Sequence, residues 1–252
     1  MDVKENKQLF GLVGKNISYS FSRSYFSDKF NLLNLEGYKY VNFDIENINN
    51  FENVIIENAS VLKGLNVTIP YKEEVLQFLD KVDKKAAEIG AVNTIKITKK
   101  GKLKGYNTDY YGFKKSIEPL LKKYHKKALI LGTGGASKAV AFALKKLDIE
   151  VTYVSRKGKG IHTISYEEIT KEIIEDNLLI INSTPLGTHP NVNVCPQIPY
   201  EFIGKKHILY DLIYNPSKTL FLEKGETKGA VIKNGLEMLE FQAEKAWEIW
   251  QK

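Results

Sequence analysis

Apolar and polar positions fall into two textures along this chain. In the first part, apolar runs alternate with stretches of helical spacing. Residues 8–13 (QLFGLV) and 39–43 (KYVNF) read as strands, and Phe26, Phe30 and Leu33 between them share one helix face. Residues 65–69 (LNVTI) make a third strand-like run, which Pro70 stops. Residues 91–98 and 102–106, separated by Lys-Lys-Gly, predict a hairpin, and a helix is predicted over 110–124. Beyond it the runs become short and wholly apolar: 128–131 (ALIL), 150–154, 178–182, 207–211 and 230–232. Strands without alternation are buried on both faces, and their interleaving with helices predicts a mostly parallel, doubly wound sheet. Leu236, Leu239, Ala243, Ala246, Trp247 and Trp250 line one face of a closing amphipathic helix. The pattern predicts two α/β domains joined by helices, with no repeat and no low-complexity linker.

Composition narrows the class. At 252 residues and 43% hydrophobic, the chain has enough apolar material for one large core or two smaller ones, which excludes disorder. No run of about 18 apolar residues is present, so a membrane span is not expected. The polar start MDVKENKQLF lacks the apolar segment of a signal peptide, and the single cysteine, Cys195, fits a reducing compartment. Together these predict a cytoplasmic protein. The net charge of +7 asks for an anionic partner, yet only Arg23 and Arg156 are arginines. The lysine pairs at 114–115, 122–123 and 126–127 read as the solvated face of one helix, so neither nucleic acid nor membrane is expected as a partner.

The chemistry-bearing motif with the clearest context is a glycine turn. Gly132, Thr133, Gly134, Gly135 and Ala136 follow an apolar strand and open a helix. Glycines there permit a tight turn and close approach of a pyrophosphate, while the helix N-terminus offers N–H groups to its oxygens. Ser137 stands where a third glycine of a dinucleotide fingerprint would be. The next strand ends in Ser155, Arg156 and Lys157, with no carboxylate to read a ribose 2′-hydroxyl. A guanidinium suits a 2′-phosphate, so NADP rather than NAD is the expected cofactor.

Four polar clusters lie earlier. Ser20 and Ser22, in Tyr19-Ser-Phe-Ser-Arg23, are either a helix cap or two hydroxyls for a carboxylate. The run Asn66-Val-Thr-Ile-Pro-Tyr-Lys72 carries alternating polar residues, and its lysine reads equally as a surface turn. Ala91-Val-Asn-Thr94 and Tyr106-Asn-Thr-Asp109 repeat the theme, with Asp109 either capping a helix or acting chemically. The four histidines have no ligand spacing, so no metal is expected.

In order, these motifs resemble the shikimate dehydrogenases over essentially the whole chain. The matching stretches are the serine pair, NVTIPYK, GAVNT, GYNTD, GTGGAS, INSTPLGT, YDLIYNPSKT and NGLEMLEFQ. The resemblance implies an N-terminal α/β substrate domain (1–108 with 235–252) and a Rossmann-like NADP-binding domain (109–234), the last helix returning to the first domain. It implies reversible, NADP-dependent reduction of 3-dehydroshikimate to shikimate by a monomer or homodimer. Lys72 and Asp109 would be the catalytic pair. Ser20, Ser22, Thr68, Asn93, Tyr214 and Gln242 would join them as substrate contacts. Residues 132–136, Ser155, Arg156, Lys157, Leu212 and Gly235 would hold the cofactor. The family's usual Asn-Arg-Thr is Ser155-Arg156-Lys157 here, which retains the arginine. A quinate/shikimate dehydrogenase paralogue and a non-catalytic Rossmann-like sensor are the competing readings, and a Lys72–Asp109 pair argues against the sensor.

Overall fold

The computed structural model describes residues 7–18 and 20–252. Most of the polar N-terminal stretch and Tyr19 of the serine motif lie outside the described residues. The chain divides into two compact units, Met1–Thr108 with Ala243–Lys252, and Asp109–Gln242.

The first unit is built on β1 (Gln8–Gly14), α1 (Phe21–Leu32), β2 (Tyr38–Asp44), α2 (Phe51–Glu57), β3 (Leu62–Val67), β4 (Lys81–Val82), α3 (Lys84–Ile89), β5 (Thr94–Ile97) and β6 (Leu103–Tyr106). Its strand order is β2-β1-β3-β5-β6-β4. β1 runs parallel to β2 and β3, while β3, β5 and β6 pair antiparallel. The expected hairpin is therefore present, but its first strand begins at Thr94 rather than residue 91. Residues 91–93 instead approach the sheet through Val67 N–H bonding to the Asn93 carbonyl at 2.9 Å. The third strand also ends earlier than expected, at Val67.

One face of this sheet carries an aromatic core of Phe10, Phe26, Phe30, Tyr40 and Trp250. The opposite face buries Val13, Phe51, Leu65, Val75 and Ile95. Consecutive residues Leu12 and Val13 go to opposite faces, as the strand period of two requires. Trp250 donates its indole N–H to the Ile95 carbonyl at 3.0 Å, fixing the end of the chain to the sheet.

The second unit comprises α4 (Asp109–Ile117), β7 (Lys127–Leu131), α5 (Gly135–Lys145), β8 (Glu150–Val154), β9 (Thr163–Ile164), α6 (Lys171–Asp176), β10 (Leu179–Asn182), β11 (Ile208–Asp211), α7 (Leu220–Thr227) and β12 (Val231–Lys233). All its strands run parallel in the order β12-β11-β10-β7-β8-β9. Along β7, Ala128 and Ile130 enter one core and Leu129 and Leu131 the other. This double burial explains the wholly apolar runs in the sequence. The helix expected to reach residue 124 stops at Ile117 because Pro119 disfavours helical backbone just before it.

The closing helix, α8 (Leu236–Gln251), is shared between the units. Its residues 236–242 group with the second unit and Ala243 onward with the first. Among the described residues, no helix is long and apolar enough to cross a membrane.

Candidate active site

In the first unit the site grows from the C-terminal end of β3. Thr68 N–H donates to the Val13 carbonyl at 2.9 Å, and the Thr68 carbonyl accepts from Tyr71 N–H at 2.9 Å. Tyr71 is held in turn by its hydroxyl, which donates to the Ile45 carbonyl at 2.7 Å. Half-buried Lys72 follows, and its carbonyl accepts from Val92 N–H at 2.7 Å. The main chain of Lys72 is thus clamped to Val92, the residue before Asn93, although the two motifs lie twenty residues apart in sequence.

Asn93 is 3% exposed, and its amide orientation is fixed by partners of known polarity. The Thr108 N–H donates to Asn93 Oδ1 at 2.6 Å, so Asn93 Nδ2 must be the donor end, and it reaches Thr108 Oγ1 at 3.0 Å. Behind it, Asn66 Nδ2 donates to the Asn93 carbonyl and to Thr94 Oγ1, both at 3.2 Å. Tyr40 Oη donates to Asn66 Oδ1 at 2.8 Å. The Tyr40 phenol lies near the hydroxyl of Ser22, and burial pushes its pKa well above the usual range. The serines play unequal parts: Ser20 caps α1, its Oγ accepting from Ser22 N–H at 3.2 Å, while Ser22 is buried within the helix. The cap reading therefore applies to Ser20. Arg23 beside them is exposed.

Sequence reasoning assigned no role to Tyr40, Asn66, Thr94 or Thr108. For the last three a signal existed, since each is a polar residue in or beside an otherwise apolar strand run. Tyr40 gave none, because a tyrosine in a strand reads as core.

In the second unit, Asp109 is the first residue of α4 and 6% exposed, within the first turn rather than capping from outside. Its charge there complements the helix N-terminus. Gln242 is buried, with its Nε2 donating to the Leu239 carbonyl at 2.9 Å, and Tyr214 is half-buried beyond β11.

Three residues, 132–134, link β7 to α5, and Gly135 and Ala136 open the helix. Gly132 has φ +102, a conformation that favours glycine, and a Cβ there would lie a tight 3.0 Å from Ser183 Oγ. Ser183 closes the turn from beneath, its hydroxyl donating to the Leu131 carbonyl at 2.7 Å. Gly134 is the N-cap of α5, and a Cβ built on it meets nothing within 4 Å. Exposed backbone over a helix N-terminus is what a pyrophosphate needs, so these residues fit a dinucleotide. Ser137 is buried, and its hydroxyl turns back to the Gly134 carbonyl at 2.6 Å, a role glycine could not fill.

Ser155 follows β8, and Arg156 and Lys157 form an exposed turn. Tyr166 stands close enough for the Arg156 charge to oppose the upward shift that burial gives its phenol. Leu212 N–H donates to the Asn182 carbonyl at 3.0 Å, and Gly235 N–H to the Ile213 carbonyl at 3.0 Å. A Cβ at Gly235 would sit 2.1 Å from the Leu212 carbonyl oxygen, so the backbones meet there only without a side chain. The carboxyl ends of β7, β8, β10 and β11 share one edge of the parallel sheet, the edge where open α/β sheets bind ligands.

A parallel doubly wound unit with a glycine turn, joined to a unit carrying a clamped lysine among buried amides and hydroxyls, defines a dinucleotide-dependent class of α/β protein. Residues 12–95 match the family model described as the shikimate dehydrogenase substrate binding domain. The NADP(+) shikimate dehydrogenase of Methanococcus vannielii is 40% identical over 96% of this chain and 90% of the relative. A crystal structure of shikimate dehydrogenase 1 from Peptoclostridium difficile matches with a TM-score of 0.84 and 40% identity, covering 97% of this chain and 91% of that one. The Thermus thermophilus shikimate 5-dehydrogenase, solved in complex with NADP(H) and shikimate, matches with a TM-score of 0.85 at 30% identity, over 96% and 93% of the two chains. The chain belongs to the shikimate dehydrogenase family.

Proposed function

We propose that the protein catalyses the reversible, NADP-dependent reduction of 3-dehydroshikimate to shikimate, as a cytoplasmic enzyme whose partners are small molecules. In this reading the first unit binds the substrate and the second the cofactor. Bound NADPH supplies a hydride to the carbonyl carbon. Lys72 meets the negative charge that builds on the carbonyl oxygen and delivers a proton to it, which completes the alcohol; in the reverse direction it removes that proton. Asp109 is the second member of the catalytic pair and accepts a hydrogen bond from a substrate hydroxyl.

Ser20 and Ser22 serve the substrate carboxylate, and Thr68, Asn93, Tyr214 and Gln242 its hydroxyls. Asn93 comes to this task with a set polarity: its Oδ1 is committed to Thr108 N–H, so it offers N–H to the ligand. Residues 132–136 hold the pyrophosphate end, and Leu212 with Gly235, whose backbones touch, the nicotinamide end. Ser155, Arg156 and Lys157 hold the adenosine 2′-phosphate.

What carries the reading is the clamp of Lys72 against Val92, next to the polarised Asn93, in a chain of this family. An NADP-linked absorbance assay tests it. Shikimate oxidation with NADP is expected, with much lower kcat/KM for quinate and for NAD. Turnover of quinate with NAD at equal efficiency would reassign the substrate and the cofactor together.

A further inference from the structure

The second unit contains a buried carboxylate that the proposed chemistry does not use. Asp211 ends β11 and is 0% exposed. Three donors converge on it. Oδ1 accepts from Ile213 N–H at 3.0 Å and from Asn182 Nδ2 at 3.1 Å, and Oδ2 accepts from Thr219 Oγ1 at 2.6 Å. The Asn182 orientation is unambiguous, because its Oδ1 accepts from Thr184 N–H at 3.0 Å. The carboxylate thus has hydrogen-bond donors and no ion-pair partner among the described contacts.

The three donors come from the loop after β11, from the end of neighbouring β10, and from the N-cap of α7. One side chain therefore sets where the chain goes on leaving β11, at the ligand edge of the sheet. The short stretch Leu212–Ile213 is fixed on every side. Leu212 N–H bonds the Asn182 carbonyl, Ile213 N–H bonds Asp211, and the Ile213 carbonyl takes Gly235 N–H. A carboxylate suits this junction better than an amide, since an asparagine has one acceptor oxygen and would turn an N–H₂ toward one of the donors.

We propose that Asp211 is a positioning residue for hydride transfer, acting through the main chain of Leu212 and Ile213 on the nicotinamide end of the cofactor. The inference rests on the functional reading above. It adds a residue that touches neither ligand but sets the distance over which hydride moves. Small displacements at a reacting centre have large rate effects, while the fold tolerates them.

The test is Asp211→Asn in the full-length protein. Expected are a fall in kcat of about tenfold or more and a larger primary isotope effect with NADPH deuterated at the transferred position, because hydride transfer becomes more nearly rate-limiting. The KM for shikimate should change little. NADPH binding, followed by its own fluorescence, should weaken several-fold, a readout that needs no turnover. A variant that loses thermal stability but keeps the wild-type isotope effect and NADPH affinity overturns the proposal. If Asp211→Asn does not fold, Thr219→Val removes one donor and keeps the carboxylate; the same shifts at smaller size support the proposal, and their absence overturns it. Failure of the wild type to oxidise shikimate counts against the functional reading alone, provided NADPH affinity still falls in the variant.

Discussion

The two units bury polar groups in opposite ways. The first threads a neutral chain through its core, from the Tyr40 phenol through the Asn66 amide to Asn93, Thr94 and Thr108, with every link a hydroxyl or amide. The second buries a carboxylate, Asp211, on three donors. A neutral network fixes the direction of each donor and adds no charge of its own, which suits a site that recognises hydroxyls. A carboxylate anchor holds backbone more firmly, but it is an ionisable group out of water, and burial pushes its pKa up to about 6. The difference separates a unit built for recognition from one built to hold strand ends in register.

The largest expected effect tests the division of labour. Lys72→Ala should lower kcat for shikimate oxidation by about two to four orders of magnitude, the span of a lost general acid–base group, with NADP affinity and melting temperature unchanged. An equal loss of NADP affinity would break the comparison by tying the first unit to the cofactor. The converse change, Arg156→Ala, should raise KM for NADP by about ten- to a hundredfold, on the scale of a lost charged hydrogen bond. KM for NAD should stay as it was, since NAD has no 2′-phosphate. Measuring kcat/KM with both cofactors decides it, and a parallel loss with NAD would move Arg156 out of the phosphate site.

How much of this was legible in the sequence follows the same contrast. The second unit was read almost strand for strand, because burial on both faces leaves a wholly apolar run that few other structures produce, and Gly132 follows the first of them directly. The closing helix was also visible from its apolar face, but its division at Ala243 was not, since a continuous stripe does not say which core each part enters. In the first unit, α2 and α3 passed unnoticed; at seven and six residues they are too short for a periodicity. The expected site residues on loops came from motif order, which says nothing of their supports. Asn66 and Thr94 face each other across paired strands, and pairing is long-range information. Asp211 and Asn182 could have been noticed, because each is the polar last residue of an apolar strand, and they too are register partners.

Tyr40→Phe probes the neutral network. The ring would keep its stack on Phe26, at 4.7 Å between centroids, while Asn66 Oδ1 loses its donor. A buried acceptor left unsatisfied costs about 1–2 kcal/mol, to be read from urea unfolding. That loss should be constant between neutral and mildly alkaline pH, because burial holds the Tyr40 phenol protonated throughout. A loss that grew with pH would mean that the first unit also stores an ionisation, and the contrast would fail.

The smallest effect is the pH signature of the second unit. Asp211 has its folded pKa raised to about 6 from 3.8, so the folded protein binds this proton more tightly than the unfolded chain does. Protonation then favours folding, and this group's contribution to stability rises as pH falls from above 6 toward 4. Asp211→Asn removes the titration. Between pH 7.5 and pH 5, the stability of the wild type relative to the variant should therefore rise by on the order of 1 kcal/mol, whatever constant offset the substitution brings. Paired urea unfolding at the two pH values isolates this term, because other titrating groups cancel in the difference. The opposite sign would mean that the donors from Ile213, Asn182 and Thr219 outweigh burial and hold the carboxylate ionised. The second unit would then resemble the first in resisting acid, and the anchor would be a permanent charge rather than a titrating one.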